Sequence, residues 1–138
     1  MNEQNKASLA AFIEAVWSNG DVHAADTHLA ESYTIYHDPG DPWDGQTLDR
    51  EGFKNRVRQS RGPFPDQRFA IHEMIAEDDK VVASWYWTGT HKGDIPGFPA
   101  SGKPISMSGI TVYYFDAGKI SGHWQMVDRA GVYQQLTH

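Results

Sequence analysis

Between Arg68 and Asp128 the apolar residues recur at every second position, in four runs separated by turn and loop chemistry. Phe69, Ile71 and Ile75 mark the first run, Val81 to Thr90 the second, Ile105 to Phe115 the third and Ile120 to Asp128 the fourth. Period two is the signature of a half-buried strand, because successive side chains leave a strand on opposite faces. Glu77-Asp78-Asp79-Lys80 and Asp116-Ala117-Gly118-Lys119 are of hairpin length and carry turn-forming residues, so they join antiparallel neighbours. His91 to Pro104, with three Gly and three Pro, interrupts the pattern and is a loop.

The first half of the chain follows a helical period. Leu9, Phe12, Ile13, Val16 and Trp17 fall on one helix stripe, and Asn19-Gly20-Asp21 stops it, which predicts a helix over 6–18. Asp21 is expected to cap a second, shorter helix that ends near Ala30. Tyr33, Ile35 and His37 then alternate against Thr34, Tyr36 and Asp38 in a short strand ended by Pro39-Gly40-Asp41-Pro42. A third helix follows, with Asp49 as N-cap and Leu48 and Phe53 placed for a hydrophobic staple. Three helices ahead of four long strands define an α+β fold, the helices packed on a curved antiparallel sheet. No repeat or low-complexity segment breaks residues 1–138, which read as a single domain large enough for a core and a small-molecule cavity.

Composition removes several function classes. Twelve basic against eighteen acidic side chains leave a net charge of −6, and no Lys/Arg cluster exceeds the Lys54 to Arg61 stretch, so no nucleic-acid partner is expected. The absence of cysteine excludes disulfides and thiol nucleophiles. Met-Asn-Glu-Gln-Asn-Lys at the start lacks the apolar core of a signal peptide, and no apolar run reaches membrane-spanning length, so a cytoplasmic protein without a membrane partner is expected. His23 and His28 are five apart and share no helix face well, and nothing resembles His-Glu-x-x-His, so no metal is expected. Five Trp, six Tyr and six Phe exceed the needs of a minimal core, and an aromatic-lined pocket would use them.

Alternation along the last run is expected to place Ile120, Trp124 and Met126 on the apolar face and to finish that face on Asp128. An unpaired carboxylate in apolar surroundings is costly and has a raised pKa, so it needs a partner or a chemical task. A strand-end carboxylate that pairs with Arg129 or caps the following turn is the competing reading. By the same parity His123 faces away with Gln125 and Val127, in a structural or interfacial role, while Trp124 walls the pocket. His37 shares the face of Tyr33 and Ile35 and is expected to point inward, to bond a substrate oxygen, to orient Asp128, or to bond neighbouring backbone. Trp17 and Tyr36 are candidates for the cavity wall, with helix-to-sheet packing the alternative for Trp17. His91 is read as a helper donor or lid contact, or as a turn-stabilising group; Asp66 as a substrate contact or a turn residue.

Helix, helix, short strand, helix and four long strands is the order of the cone-shaped α+β barrel of nuclear transport factor 2, ketosteroid isomerase and scytalone dehydratase. Val16-Trp17-Ser18-Asn19-Gly20-Asp21, Tyr36-His37-Asp38-Pro39, Phe64-Pro65-Asp66, Gly89-Thr90-His91-Lys92-Gly93, Pro99-Ala100-Ser101-Gly102-Lys103, Gly118-Lys119-Ile120 and His123-Trp124 with Asp128 resemble the SnoaL-like polyketide cyclases through nearly the whole chain. The resemblance implies an intramolecular aldol closure that uses no metal or organic cofactor. It implies that an aspartate of the last strand, matched by Asp128, is the general acid/base, and that His37 matches a pocket histidine; Asp66 and His91 match recurrent positions. Such a closure needs a base for a proton beside one carbonyl, donors for the enolate and an acid for the new alkoxide. The expected partners are a small apolar carbonyl-containing ligand and a second copy of the chain, as a homodimer. An isomerase, dehydratase or epoxide hydrolase fits the same cone, and so does a noncatalytic ligand-binding or dimerisation module.

Overall fold

The stripe Leu9, Phe12, Ile13 and Val16 winds into α1 (Asn2–Phe12) and on through a π-helical segment (Ile13–Ser18), burying all four side chains. The structure, a computed structural model that describes residues 2–138, places this helix against the inner face of a six-stranded sheet. Asp21 stands at the N-cap position of a 3-10 turn (Val22–Ala24), but its side chain makes no capping bond, and α2 (Ala25–His28) is a single turn. The chain then extends as β1 (Leu29–His37) and β2 (Thr47–Asp49). The Asp49 carboxylate starts α3 (Arg50–Arg61) as read from the sequence, accepting from the Gly52 amide at 2.7 Å. β3 (Arg68–Glu77), β4 (Lys80–Thr90), β5 (Pro104–Asp116) and β6 (Lys119–Val127) are the four period-two runs, and α4 (Arg129–Thr137) ends the chain. Among the described residues no helix is long and apolar enough to cross a membrane.

The strand order is β2-β1-β6-β5-β4-β3. β3 to β6 form the expected antiparallel meander, whose hairpins turn at Asp78, Ala117 and Gly118, all at positive φ. β1 runs parallel to β6, because the meander begins at the far edge of the sheet and finishes beside β1. The sheet is therefore mixed, not wholly antiparallel, and it stays open, with β2 and β3 as its edges. Tyr33, Ile35, Val81, Ala83, Phe115 and Ile120 meet α1 and α3 in the main core, and Phe64, Trp85, Trp87, Ile105 and Leu136 form a smaller cluster. The other face leaves Tyr36, Ile75, Tyr86, Ile110, Trp124 and Met126 exposed.

Two irregularities decide which side chains of β1 and β6 enter the interior. Ile35 pairs with His123 and His37 with Trp124, so β1 advances two residues while β6 advances one. Tyr114 pairs with Gly122 and Phe115 with Ile120, so β6 carries an extra residue against β5. Each extra residue swaps the faces of everything beyond it. Ile120 points inward, but beyond the bulge it is His123 and Gln125 that point inward while Trp124 and Met126 point out. On β1 the inward series is Tyr33, Ile35 and then Asp38. Gly122 makes this register possible, since a Cβ there would lie 2.5 Å from the Thr34 carbonyl oxygen and 2.8 Å from the Tyr36 ring. Gly122→Ala is expected to cost about 1–3 kcal/mol, the usual range for overpacking, read as a lower urea midpoint at unchanged m-value; an unchanged midpoint would show that the strands part freely here.

Candidate active site

Between the helices and the inner sheet face lies a cavity of about 490 Å³, within the size range of small-molecule sites. Trp17 of the π-helical segment and Phe69, Trp85, Trp87 and Val127 of the strands give it apolar walls, and Ile95 of the long loop lies at its rim. Tyr33, Arg56, His123 and Gln125 bring polar groups to one end. These come from β1, α3 and β6, and they converge because the two bulges turn Asp38 and His123 to the same side of adjacent strands.

The Asp38 carboxylate is fully buried and has four donors. Its Oδ2 accepts from His123 Nε2 at 2.9 Å, Gln125 Nε2 at 2.8 Å and Arg56 Nη2 at 3.2 Å, and its Oδ1 accepts from Arg129 Nη2 at 2.9 Å. Burial works to raise its pKa, but the His123, Gln125 and Arg56 contacts outweigh burial and hold the carboxyl below its ordinary value. Asp38 is thus an ionised group with its acceptor sites filled, suited to orienting its neighbours. Burial depresses the His123 imidazole, and the bond to Asp38 recovers only part of that shift, so the ring is neutral near pH 7. With Nε2 donating to Asp38, Nδ1 is left as the acceptor, and the Tyr33 hydroxyl donates to it at 2.6 Å. Burial holds the Tyr33 phenol well above its usual pKa, so it stays protonated. Gln125 is oriented in turn: Thr111 Oγ1 donates to its Oε1 at 2.8 Å and accepts from Trp85 Nε1 at 2.9 Å. The result is a Tyr33–His123–Asp38 chain able to move a proton at the cavity end.

Of the residues singled out in the sequence, Trp17 lines this cavity. Asp128 does not point inward as the alternation predicted. It is exposed, caps α4 by accepting from the Gly131 amide at 2.9 Å, and borders a shallow outer concavity with His72, Tyr86 and Met126. The β6 bulge is the reason, because parity counted from Ile120 is wrong by one residue beyond it. The same shift puts Trp124 outside, where His37 stacks on it with ring centroids 4.4 Å apart; the β1 bulge turned His37 outward. Tyr36 is exposed on the same face, edge-on to Tyr114. His91 is buried but off the cavity surface: its ring stacks behind Phe64 and its Nδ1 bonds Ser101 Oγ at 2.9 Å, closing the base of the long loop. Asp66 is exposed and clamps Thr90, accepting from its amide at 2.8 Å and its hydroxyl at 2.7 Å, which lowers the carboxyl pKa. Asp38, His123, Gln125, Tyr33 and Arg56 were not read as site residues. The available signal was Gly122, since glycine inside a strand marks a bulge or a close backbone approach. Among the described residues no cluster of three or more His, Asp or Glu is placed to hold a metal ion.

His123 makes stability pH-dependent with a definite sign. Its folded-state pKa lies below the ordinary value near 6.5, so on descending from pH 7 the unfolded chain takes up a proton that the native state refuses. The stabilisation is complete above the unfolded value and is lost as pH falls through the folded one. His28, also depressed by burial, acts in the same direction. Urea unfolding is expected to show stability falling between pH 7 and pH 5, and His123→Gln, which keeps a donor for Asp38, is expected to flatten that slope. An identical slope in the variant would exclude His123 as the source.

Comparison with known proteins gives the family. The family model for SnoaL-like polyketide cyclases matches residues 7–136. A candidate polyketide cyclase of Acidithiobacillus ferrooxidans is 54% identical, superposes with a TM-score of 0.93, and the alignment covers 97% of this chain and 94% of that one. TsrD of Streptomyces laurentii is 25% identical with a TM-score of 0.82, over 99% of this chain and 96% of that one. IdmH of Streptomyces antibioticus, a candidate polyketide cyclase, shares the fold at 24% identity and a TM-score of 0.82, over 98% and 99% of the two chains. Comparison with curated proteins finds no match. The chain belongs to the SnoaL-like polyketide cyclase family.

Proposed function

We propose that the protein catalyses proton transfer on a small, largely apolar carbonyl compound held in the inner cavity, most specifically an intramolecular aldol closure of the polyketide-cyclase kind. The observation that carries this is the buried Tyr33–His123–Asp38 chain at the polar end of an aromatic-walled cavity. Tyr33 passes its hydroxyl proton to His123 Nδ1, and Asp38 holds the resulting imidazolium. The phenolate takes the proton from the carbon beside a substrate carbonyl, leaving an enolate. The enolate carbon bonds to a second carbonyl carbon of the same molecule, and the new alkoxide recovers a proton from Tyr33, which is refilled from His123. No proton is gained or lost overall. The high phenol pKa makes the resting phenolate scarce but suits Tyr33 as the acid that quenches an alkoxide. Protonation of the enolate at another carbon turns the same steps into an isomerisation.

Exchange of α-protons for deuterium tests this without knowledge of the natural substrate. With 2-tetralone as an aromatic ketone probe in D₂O, the protein is expected to accelerate exchange at the α-carbon seen by proton NMR. Tyr33→Phe and His123→Gln are expected to lower that rate by about 10²–10⁴, the usual contribution of a positioned acid/base, and Asp128→Asn to leave it unchanged. If Asp128→Asn abolishes exchange while Tyr33→Phe leaves it intact, the proton-transfer role belongs to Asp128; if no variant matters, the cavity only binds.

The outer sheet face belongs to a homodimer in this reading. Tyr86, Ile110, Trp124 and Met126 sit on adjacent strands and are each 41–58% exposed, an apolar patch of the kind that a second copy would cover. Sedimentation velocity is expected to show a dimer, and Ile110→Asp, which faces away from the cavity, a monomer. A wild-type monomer at micromolar concentration excludes this role for the face.

A further inference from the structure

Arg56 has more donors than the protein uses. It projects from α3 beneath the π-helical segment, with its guanidinium carbon 5.3 Å from the centre of the Trp17 ring and 5.9 Å from that of Phe53. Its side chain is buried, and both of its hydrogen bonds leave from Nη2, to Asp38 at 3.2 Å and Asp41 at 3.0 Å. The Nε–H is buried and has no hydrogen-bond partner among the described residues. A cationic donor left this way carries an uncompensated desolvation cost, and native interiors leave few of them. The other such atom, His91 Nε2, lies behind Phe64 and off the cavity surface, whereas Arg56 lines the cavity. Nε itself is closed off by the protein, but Nη1 makes no hydrogen bond among the described residues and is not one of the sealed atoms, so it is the donor open to what the cavity holds.

The position of Arg56 indicates which acceptor. Arg56 and His123 donate to the same oxygen, Asp38 Oδ2, so the guanidinium stands one carboxylate away from the proton chain. A fixed positive charge against aromatic walls, beside the group that removes a proton next to a carbonyl, is placed for the oxygen on which the resulting negative charge collects. Asp41 and Asp38 keep the guanidinium charged although burial opposes it, so the charge is present before ligand arrives.

We propose that Arg56 anchors the substrate through an oxygen that carries negative charge, so that the cavity selects compounds with an acidic carbonyl system, such as 1,3-dicarbonyls and their enolates, over isolated ketones. The proposal rests on the proton-transfer reading for its chemistry but is measured by binding alone. The probe is 4-nitrophenol, a ring-bound oxyanion whose phenolate and phenol absorb at different wavelengths, with naphthalene as a control that has no oxygen. In the wild-type protein, bound nitrophenol is expected to be ionised at a pH where the free compound is still protonated, seen as growth of the phenolate band. Arg56→Gln is expected to weaken phenolate binding by about tenfold or more and to reverse that ionisation. Naphthalene affinity, read from quenching of the cavity tryptophans, is expected to stay within about twofold, since apolar contact alone sets it. Where Arg56→Gln also loses naphthalene, Arg56→Lys decides: it keeps the charge near Asp38 and Asp41 and is expected to retain naphthalene binding and part of the ionisation. Wild-type phenolate affinity in both variants overturns the anchor, and so does bound nitrophenol that remains protonated in the wild-type protein. Failure of the deuterium-exchange assay with phenolate binding still dependent on Arg56 would remove the catalytic reading and leave the anchor standing.

Discussion

The buried carboxylate of Asp38 is the constraint on which the interior depends. It is tied to α3 through Arg56, to β6 through His123 and Gln125, and to the start of α4 through Arg129, all by bonds of 2.8–3.2 Å. A charge taken out of water is tolerated only when its lone pairs are filled, and removing one partner from such a group leaves the remainder uncompensated. The backbone that presents Asp38 is fixed by the same logic: the Asp38 amide donates to the Asp44 carboxylate, and Asp41 both takes a second bond from Arg56 and receives the Trp43 amide. The Pro39–Asp44 turn, which reads as a plain strand terminator, is thereby a folded support for the site.

Much of the fold was legible because its signals are local. Period two marked β3 to β6, the helix stripe marked α1, and Asp49 marked the start of α3, each read from a short window and each found. The parallel pairing of β1 with β6 was not legible, since it depends on where the meander begins. Nor was α4, whose start is set by Asp128, the residue that the strand pattern had claimed for the sheet face.

The candidate site was harder to read because facing is a cumulative property. One extra residue in β6 and one in β1 invert the parity on both strands that meet beneath the cavity. Counted from Ile120, Trp124 and Asp128 belong inside and His123 outside; counted from beyond Gly122, the order reverses. Counted from Tyr33, His37 belongs inside and Asp38 outside, and that order reverses too. The two inversions cancel in space, so an inward Asp38 meets an inward His123, while the displaced His37 and Trp124 stack on each other on the opposite face. Trp17 escaped the problem because helical spacing does not pass through either bulge. The surplus of aromatic residues follows the same partition: Trp17, Trp43, Trp85 and Trp87 wall the cavity, and Trp124 lies on the outer sheet face.

Because Asp38 serves both the fold and the proton chain, stability and chemistry are coupled at one atom. Oδ2 orients the His123 tautomer and at the same time holds Gln125 and Arg56, so any change that alters its charge acts on three elements together. Protonation of Asp38 would weaken every one of these bonds, and its depressed pKa keeps the carboxylate ionised below the ordinary range. The chain depends equally on a neutral His123: an imidazole whose Nδ1 carried a proton in the resting state would no longer accept from Tyr33, and the phenol would lose its base.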